Sequence, residues 1–187
     1  MVDFRRKQGS GLTQLNISGE PVERVPSFKY LRVNLTRDLS WSLHTKHLVS
    51  KSDTKRHRLY FLWRLTKFKA SPSILRNFYS AAVESSLTGC ISAWYGSCTA
   101  QNRAALQRAL RSAEQSIRLT LPTLECTYSK RVRARARKIR QDASHPDAGL
   151  FTLLQSGRRL RCLKARTERL RRSFFLQAVR LLNFGGL

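Results

Sequence analysis

Residues 28–41, FKYLRVNLTRDLSW, contain the point at which the apolar pattern of the chain changes. Up to Leu35 apolar residues alternate with polar ones, which is typical of a β-strand with one buried face. After Trp41 the alternation stops, and apolar residues recur at the three- and four-residue spacing of a helix. The stretch therefore predicts a small sheet at the front of the chain that is followed by helices.

Three strands are predicted in the first 35 residues. Segments 13–17 and 21–25 flank 18–20, Ser-Gly-Glu, a hairpin turn in which glycine supplies the positive φ. A third strand is predicted over 27–35, and its alternation assigns the side chains to two faces: Leu31, Val33 and Leu35 to one, Phe28 and Tyr30 to the other. Three such strands bury little surface by themselves, so they need a helix or a missing neighbouring strand to pack against.

The next part of the chain is predicted to be helical. A first helix covers about 42–68, and its wholly polar centre, 50–58, is where it is expected to break or to stand exposed. Ser71 followed by Pro72 is typical of a helix start, with serine as the N-cap and proline in the first turn. Apolar or small pairs recur every four residues from there to about 95, which predicts one long central helix with Gly89 as its weak point.

Three further helices are predicted towards the C-terminus. Thr99 is expected to cap a helix whose apolar stripe is Leu106, Ala109, Leu110, Ala113 and Ile117. A short basic helix follows, with a narrow stripe of Val132, Ala136 and Ile139, and 144–149 is predicted to be a turn. A last helix is predicted from about Arg158, with one face formed by Leu160, Leu163, Thr167, Leu170 and Phe174. The fold class is therefore α+β, mostly α.

The charge of the chain points to a polyanionic partner. Lys and Arg number 36 against 11 Asp and Glu, for a net charge of +25 and a pI of about 11.4. Charge of this size opposes compaction by self-repulsion, and the excess of Arg over Lys favours bidentate phosphate contacts and base stacking. Nucleic acid is therefore the expected partner. The least charged stretch, 77–98, contains Glu84 and many hydroxyls, so it is predicted to be a core helix and not a membrane span.

Two basic segments carry the candidate phosphate-binding residues. The first, 131–140, has six basic residues and no acid, namely Arg131, Arg133, Arg135, Arg137, Lys138 and Arg140. The second, 158–172, has eight cations against Glu168 alone, namely Arg158, Arg159, Arg161, Lys164, Arg166, Arg169, Arg171 and Arg172. A merely solvated helix face usually interleaves acids with bases, so the scarcity of acids favours phosphate contact. The alternative is a solvated surface whose charge keeps the protein soluble.

Aromatic residues in 60–68 raise a second possibility for nucleic-acid contact. Tyr60, Phe61, Trp63 and Phe68 lie among cations, as in stacking platforms for single strands. At helical spacing such rings are more often part of a core, and this is the interpretation that the sequence favours.

No complete catalytic or metal site is evident in the sequence. The aspartates are scattered, no glycine-rich phosphate loop is present, and His145-Pro146-Asp147 lacks the later histidine of an iron-binding triad. His44 and His47 are expected to be packing or surface residues. The four cysteines have no metal-ligand spacing and are expected to be reduced, small core residues. We therefore expect no cofactor and no metal, and an intracellular protein, with nucleus or cytoplasm left open.

Most of the chain resembles the C-terminal part of reverse transcriptases from LINE-like, non-LTR retrotransposons of the type abundant in fish genomes. The resemblance is carried by MVDFRRK (1–7), VERVPSFKYLRVNLTRDLSW (22–41), RLYFLWRLTKF (58–68), ILRNFYSAAVESSLTGCISAWYGSCTAQNRAALQRAL (74–110), ARKIRQDASHP (136–146) and SGRRLRCLKARTERLRRSFFLQAVRLLN (156–183). The order of these segments is that of the family, although the family usually has glycine where this chain has Arg32.

This resemblance implies a domain organisation and a function. Residues 1–41 would be the edge of a palm sheet, 42–122 a helical thumb-like region, and 123–187 a basic helical C-terminal region. The catalytic aspartates of that family belong to a palm motif upstream of the matched segments, so no catalytic residue carries over. The resemblance implies a non-catalytic fragment that binds RNA, DNA or both, and that could meet a palm domain from another chain.

A second, shorter resemblance gives an alternative. KHLVSKSDTKRHRLYFLWRLTKF (46–68) is similar to the helical N-terminal segment of the AlkB-type tRNA wobble-uridine methyltransferase. It implies an accessory segment of a tRNA-modifying 2-oxoglutarate dioxygenase or methyltransferase, which would be active only with other domains. A third hypothesis is an inert, truncated retrotransposon relic.

Overall fold

The computed structural model describes Val2, Phe4 and residues 15–50 and 52–185, with the side chains of residues 50, 52–57 and 185 left out. Within these residues four short strands come first and helices follow, which confirms the predicted α+β, mostly α class. Part of the predicted strand over 13–17 lies outside the described residues. In the described part of the chain no helix is long and apolar enough to cross a membrane.

The strands form two separate antiparallel hairpins, where the sequence predicted one sheet. Strands β1 (Asn16–Ile17) and β2 (Glu20–Pro21) flank a turn in which Ser18 and Gly19 have φ of 51° and 85°. Positive φ at both central positions gives the two-residue turn that matches the twist of a hairpin, and glycine makes it inexpensive. This first hairpin agrees with the turn predicted at 18–20.

The predicted third strand over 27–35 is wrong, because it is itself a hairpin. Strands β3 (Ser27–Tyr30) and β4 (Val33–Thr36) are joined by Leu31 and Arg32, whose φ values are 44° and 69°. Tyr30 lies opposite Val33, and directly opposite residues share one face of a sheet. The predicted assignment of Phe28 and Tyr30 to the face opposite Val33 and Leu35 is therefore also wrong. No glycine marks this turn, so the sequence carried no turn signal.

The predicted helix over 42–68 corresponds to two helices, α1 (Ser42–Ser50) and α2 (Ser52–Lys67). Both pack against a later helix, α6 (Ala100–Ile117). Thr99 caps α6 as predicted, because its hydroxyl accepts a hydrogen bond from the Asn102 amide at 3.2 Å. The whole predicted stripe of α6 is buried, so this face of the helix packs into the core.

The predicted central helix begins as expected but is interrupted. Ser71 accepts from the Ile74 amide, and α3 (Pro72–Phe78) continues through a π-helical segment, Tyr79–Glu84, into α4 (Ser85–Leu87). The helix is then interrupted around Gly89. A new helix, α5 (Ile91–Trp94), begins after Cys90, which has a φ of 51°. The indole nitrogen of Trp94 donates to the Gly89 carbonyl at 2.8 Å, which holds the break in place.

The basic helix is longer than predicted. Helix α7 (Leu124–Gln141) starts at Thr123, whose hydroxyl accepts from the Cys126 amide at 3.1 Å. Its predicted stripe of Val132, Ala136 and Ile139 is buried, as are Leu124 and Tyr128 in the first turns. The sequence identified the stripe but not the cap, which lies directly after Pro122.

The predicted last helix from Arg158 is wrong. A turn through Gly157, with a φ of 68°, pairs Leu153 with Leu160 in an antiparallel bridge. Helical structure resumes in α8 (Glu168–Arg171) and α9 (Phe174–Gly185). Leu160 still reaches the core, where the Asn183 side chain bonds both its amide, at 2.8 Å, and its carbonyl, at 3.0 Å. A side-chain amide that replaces a strand partner keeps this backbone satisfied without a helix.

Trp94 lies at the centre of the hydrophobic core, and its side chain is fully buried. The same core includes buried residues of α2, α6, α7 and α9, such as Leu62, Leu110, Val132 and Leu182. The cysteines are free, and Cys98 alone among them is buried. The expectation of four small core cysteines is therefore wrong for Cys90, Cys126 and Cys162.

Candidate nucleic-acid interface

The first basic segment divides into two groups of cations. Arg131 donates to the Thr88 carbonyl at 2.6 Å, and Arg133 donates to the Leu181 carbonyl at 3.2 Å. The Arg135 guanidinium lies 5.1 Å from the centre of the Phe174 ring. These three residues connect α7 to the break before α5 and to α9, so part of the predicted phosphate-binding set also holds the fold together.

The remaining cations of the first basic segment lie on the outside of α7. Arg137, Lys138 and Arg140 are exposed, and their side chains make no hydrogen bond or ion pair with a residue that the structure describes. They form one cationic end of α7, close to its C-terminus, where positive charge also suits the helix dipole. This end is the part of the first segment that is available to a phosphate.

The second basic segment is mostly an exposed loop and not a helix. Its cations from Arg158 to Arg166 are exposed around the turn through Gly157. Arg169 donates to the Asp38 carbonyl at 3.5 Å, near the β3–β4 hairpin. Arg171 and Arg172 both pair with Glu168, the Arg172 bond measuring 2.7 Å. The predicted cations therefore form a loop and a short helical turn in place of one docked helix.

Two predicted cations, Arg171 and Arg172, line one groove together with two arginines that the sequence analysis missed. A groove of about 550 Å³ is lined by Arg103, Arg171, Arg172, Arg180 and Gln177, and by the chain at Gly96 and Cys98. We call it the arginine groove. Its charges come from α6, α8 and α9, which are far apart in the sequence, so no local pattern signals it. Glu168 is the one acidic residue that lines it.

Two close contacts, one of Arg103 and one at Gly96, fix the residues that line the arginine groove. Arg103 donates to the Gly96 carbonyl at 3.0 Å and stacks 5.0 Å from the centre of the Tyr95 ring. A Cβ at Gly96 would lie 2.6 Å from the Tyr128 hydroxyl and 2.9 Å from the Arg172 carbonyl, so this close approach requires glycine. Burial raises the pKa of the Cys98 thiol to about 11, and Arg103 opposes this in part, so Cys98 stays a neutral thiol beside the arginines.

Four exposed aromatic rings lie on one side of α2 and at Phe68, directly after its end. Tyr60, Phe61, Trp63 and Phe68 are 46%, 54%, 43% and 72% exposed. Arg64 lies 5.8 Å from the Tyr60 ring centre and 5.4 Å from that of Phe68, and Lys67 lies 4.6 Å from that of Trp63. We call Tyr60, Phe61, Trp63, Arg64, Lys67 and Phe68 the aromatic–cationic face. The interpretation that these rings belong to the core is wrong.

The opposite side of α2 explains why these rings are outside. Leu62 is fully buried, and Leu59 and Leu65 pack against the core beside it. The Thr66 hydroxyl bonds the Ser116 carbonyl at 3.2 Å, which fixes the end of α2 against α6. At 100° per residue these leucines occupy one half of the helix, and the aromatic residues with Arg64 and Lys67 occupy the other half.

Neither surface contains a catalytic constellation. In the described residues no group of three His, Cys, Asp or Glu side chains is arranged to hold a metal ion. His44 is buried and His47 is exposed. The geometry offers exposed rings and cations, the kinds of group that a polyanionic ligand would contact.

Comparison with known proteins gives one partial match. Residues 41–85 match the family model described as the N-terminal part of alkylated DNA repair protein alkB homolog 8. The match covers less than half of the chain, and it includes α1, α2 and the aromatic–cationic face. No curated protein and no solved structure matches. These findings include no reverse transcriptase, so that resemblance stays a prediction.

Proposed function

We propose that this protein is a binding module for single-stranded nucleic acid, with bases stacking on the aromatic–cationic face. The observation that carries the proposal is the exposure of four rings on one side of α2, interleaved with Arg64 and Lys67. No acidic residue occurs in 58–69, so the face is positive throughout. Rings provide sequence-tolerant stacking, and neighbouring cations neutralise the backbone.

The charge of the face distinguishes this partner from a protein partner. An exposed apolar patch can dock a protein, but interfaces between proteins are depleted in lysine and need a partner surface of matching charge. A single strand offers flat apolar bases and a continuous line of negative charge. The rings of the aromatic–cationic face can therefore contact the bases of a strand while its cations contact the phosphates of the same strand.

The arginine groove extends the proposed interface. Helix α6 carries Arg103 near its first turn, and its last turn contacts the end of α2 through Ser116. Thirteen residues of helix separate these two points by about 20 Å. A strand that stacks on α2 and follows α6 would bring a phosphate to the groove, where four arginines converge.

The test is fluorescence-anisotropy binding of single-stranded RNA and DNA across a salt series. The paired change Tyr60→Ala with Trp63→Ala should weaken binding, because stacking contributes about 1–3 kcal/mol per base, or roughly 5- to 150-fold. The salt slope should stay constant, since no cation is removed. Lys67→Gln should instead lower the slope by about 0.7.

Phe184→Ala is the matched control, because this ring is 89% exposed on α9, away from the face. It should leave affinity and slope unchanged. Equal losses of affinity for Phe184→Ala and for the paired change would show that any exposed ring on this highly basic protein produces the effect. That result would contradict the proposal.

The partial match at residues 41–85 supports a second candidate. An AlkB homologue 8-like helical segment would serve a tRNA-modifying enzyme as an accessory element and would prefer tRNA over an unstructured strand. A reverse transcriptase thumb would instead prefer a template–primer duplex. Equal weak binding to every nucleic acid, lost at modest salt, would support the inert relic. The same anisotropy assay with these ligands separates the candidates.

A further inference from the structure

A second cavity lies beside the β3–β4 hairpin. It has a volume of about 320 Å³ and is lined by the hairpin, by α1, by Arg58 of α2 and by residues between 83 and 89. This volume is at the small end of the range for ligand pockets. We call it the hairpin pocket. It shares no residue with the arginine groove or with the aromatic–cationic face.

His44 lines the hairpin pocket, and one nitrogen of its ring has no hydrogen-bond partner among the described residues. Its Nδ1 accepts a bond from the Asn34 amide at 3.4 Å, so the proton of the neutral ring lies on Nε2. Nε2 is buried and has no partner among the described residues. Buried polar groups in folded proteins are nearly always paired, so this donor points to a ligand that carries an acceptor.

Three cations surround the hairpin pocket from different elements. Lys29 belongs to β3, Arg32 to the hairpin turn and Arg58 to α2. Arg58 is held in place by a 2.8 Å bond to the Ala82 carbonyl. No acidic residue lines the pocket, so a bound phosphate meets positive charge without a competing carboxylate.

Part of the remaining wall is apolar. Leu48, Val83 and Leu87 supply aliphatic surface, beside the hydroxyls of Ser85 and Ser86. An inorganic anion would leave this surface empty, and an uncharged aromatic molecule would leave the cations unused. A ring joined to a phosphate satisfies both, and the edges of nucleobases carry ring-nitrogen or carbonyl acceptors for a single N–H donor.

We propose that the hairpin pocket binds a nucleoside monophosphate, with the base against the aliphatic wall and His44 Nε2, and with the phosphate among Lys29, Arg32 and Arg58. The same chemistry is present in a free nucleotide and in the 5′-terminal nucleotide of a strand. The site does not depend on stacking by α2, so its test is independent of the test of the proposed function.

Isothermal titration calorimetry of the full chain tests the proposal with adenosine and uridine 5′-monophosphates, the two nucleosides and inorganic phosphate. We expect saturable 1:1 binding of the monophosphates, at least 10-fold tighter than the nucleosides or phosphate. Arg32→Asn should weaken it at least 10-fold, because asparagine removes the charge yet tolerates the left-handed backbone. His44→Phe should weaken it as well by removing the donor.

Lys46→Gln is the control, since Lys46 is exposed on α1 and does not line the pocket. Inorganic phosphate binding as tightly as the nucleotides would overturn the proposal, and so would equal losses from Arg32→Asn and Lys46→Gln. Lys29→Gln gives a second pocket variant if His44→Phe fails to fold. Competition by 5′-phosphorylated but not by 5′-hydroxyl oligonucleotides would identify a strand end as the ligand, and no competition by either would identify a free nucleotide.

Discussion

Replacing Leu31 by Asn and Arg32 by Gly should stabilise the protein. Both residues adopt the left-handed backbone, with φ of 44° and 69°, and each such non-glycine residue costs about 1–2 kcal/mol. Asparagine and glycine relieve most of this cost, while the greater freedom of glycine in the unfolded chain takes back about 0.4–1 kcal/mol. Leu31 is 72% exposed, so little burial is lost. The net gain should be about 1–2 kcal/mol.

The gain should be visible in global unfolding because the β3–β4 hairpin is attached to the helical core. Val33 is buried, and the Asn34 amide bonds His44 on α1. Urea denaturation followed by tryptophan fluorescence should show a higher midpoint with an unchanged slope. Calorimetry should show a melting temperature raised by about 2–8 °C.

The β1–β2 hairpin supplies the control for this experiment. Its turn already contains Gly19, and its strands are exposed, so Ser18→Asn should change the free energy of unfolding by less than about 0.5 kcal/mol. An unchanged or lower stability for the Leu31→Asn, Arg32→Gly variant would show that these residues do not occupy the left-handed region. That result would contradict the two-residue turn between β3 and β4.

Three other variants test the site and its supports. Gly96→Ala should cost about 1–3 kcal/mol in urea denaturation, because its Cβ would overlap the Tyr128 hydroxyl, whereas Gly149→Ala, with open space around it, should be neutral. Burial, with a smaller contribution from His47, lowers the pKa of folded His44 to about 4, so the unfolded chain binds more protons than the folded chain below pH 6.5. The stability of the protein relative to a His44→Gln variant should therefore fall by up to about 3 kcal/mol between pH 6.5 and 4. A stability difference that does not change with pH would refute the buried neutral ring. Changing the exposed end of α7 to glutamine should lower the salt slope of single-strand binding by about 2 at unchanged stability; the residues are Arg137, Lys138 and Arg140.

Local chemistry made the helix starts predictable. Ser71 and Thr99 each accept a bond from an amide three residues later, which is a property of a few neighbouring residues and is readable without the fold. The stripe of α7 was predictable for the same reason, since the period of a helix is fixed. What the sequence could not give was the hairpin at Leu31 and Arg32, where the surrounding structure holds two residues in a conformation that neither prefers.

The candidate site was predictable only in part, because it depends on which side of a helix faces the core. Periodicity showed that the aromatic residues of α2 share a helix with leucines, but both sets could form an apolar face. The structure buries Leu62 and leaves the rings outside. The arginine groove joins Arg103 and Arg180, which are separated by most of the helical part of the chain. Such a site exists only after tertiary packing, so no local spacing could indicate it.

The composition of the chain overstated how many cations are available to a ligand. Arg131 and Arg133 donate to backbone carbonyls at a helix break and on α9, where an arginine fork satisfies acceptors that helices leave open. In contrast, Arg64 and Lys67 lie against aromatic rings that remain exposed. A base that stacks on those rings meets a cation already placed beside them, so the same side chain can contact the base and neutralise its phosphate. Affinity should therefore depend on where the arginines lie on the fold more strongly than on their number.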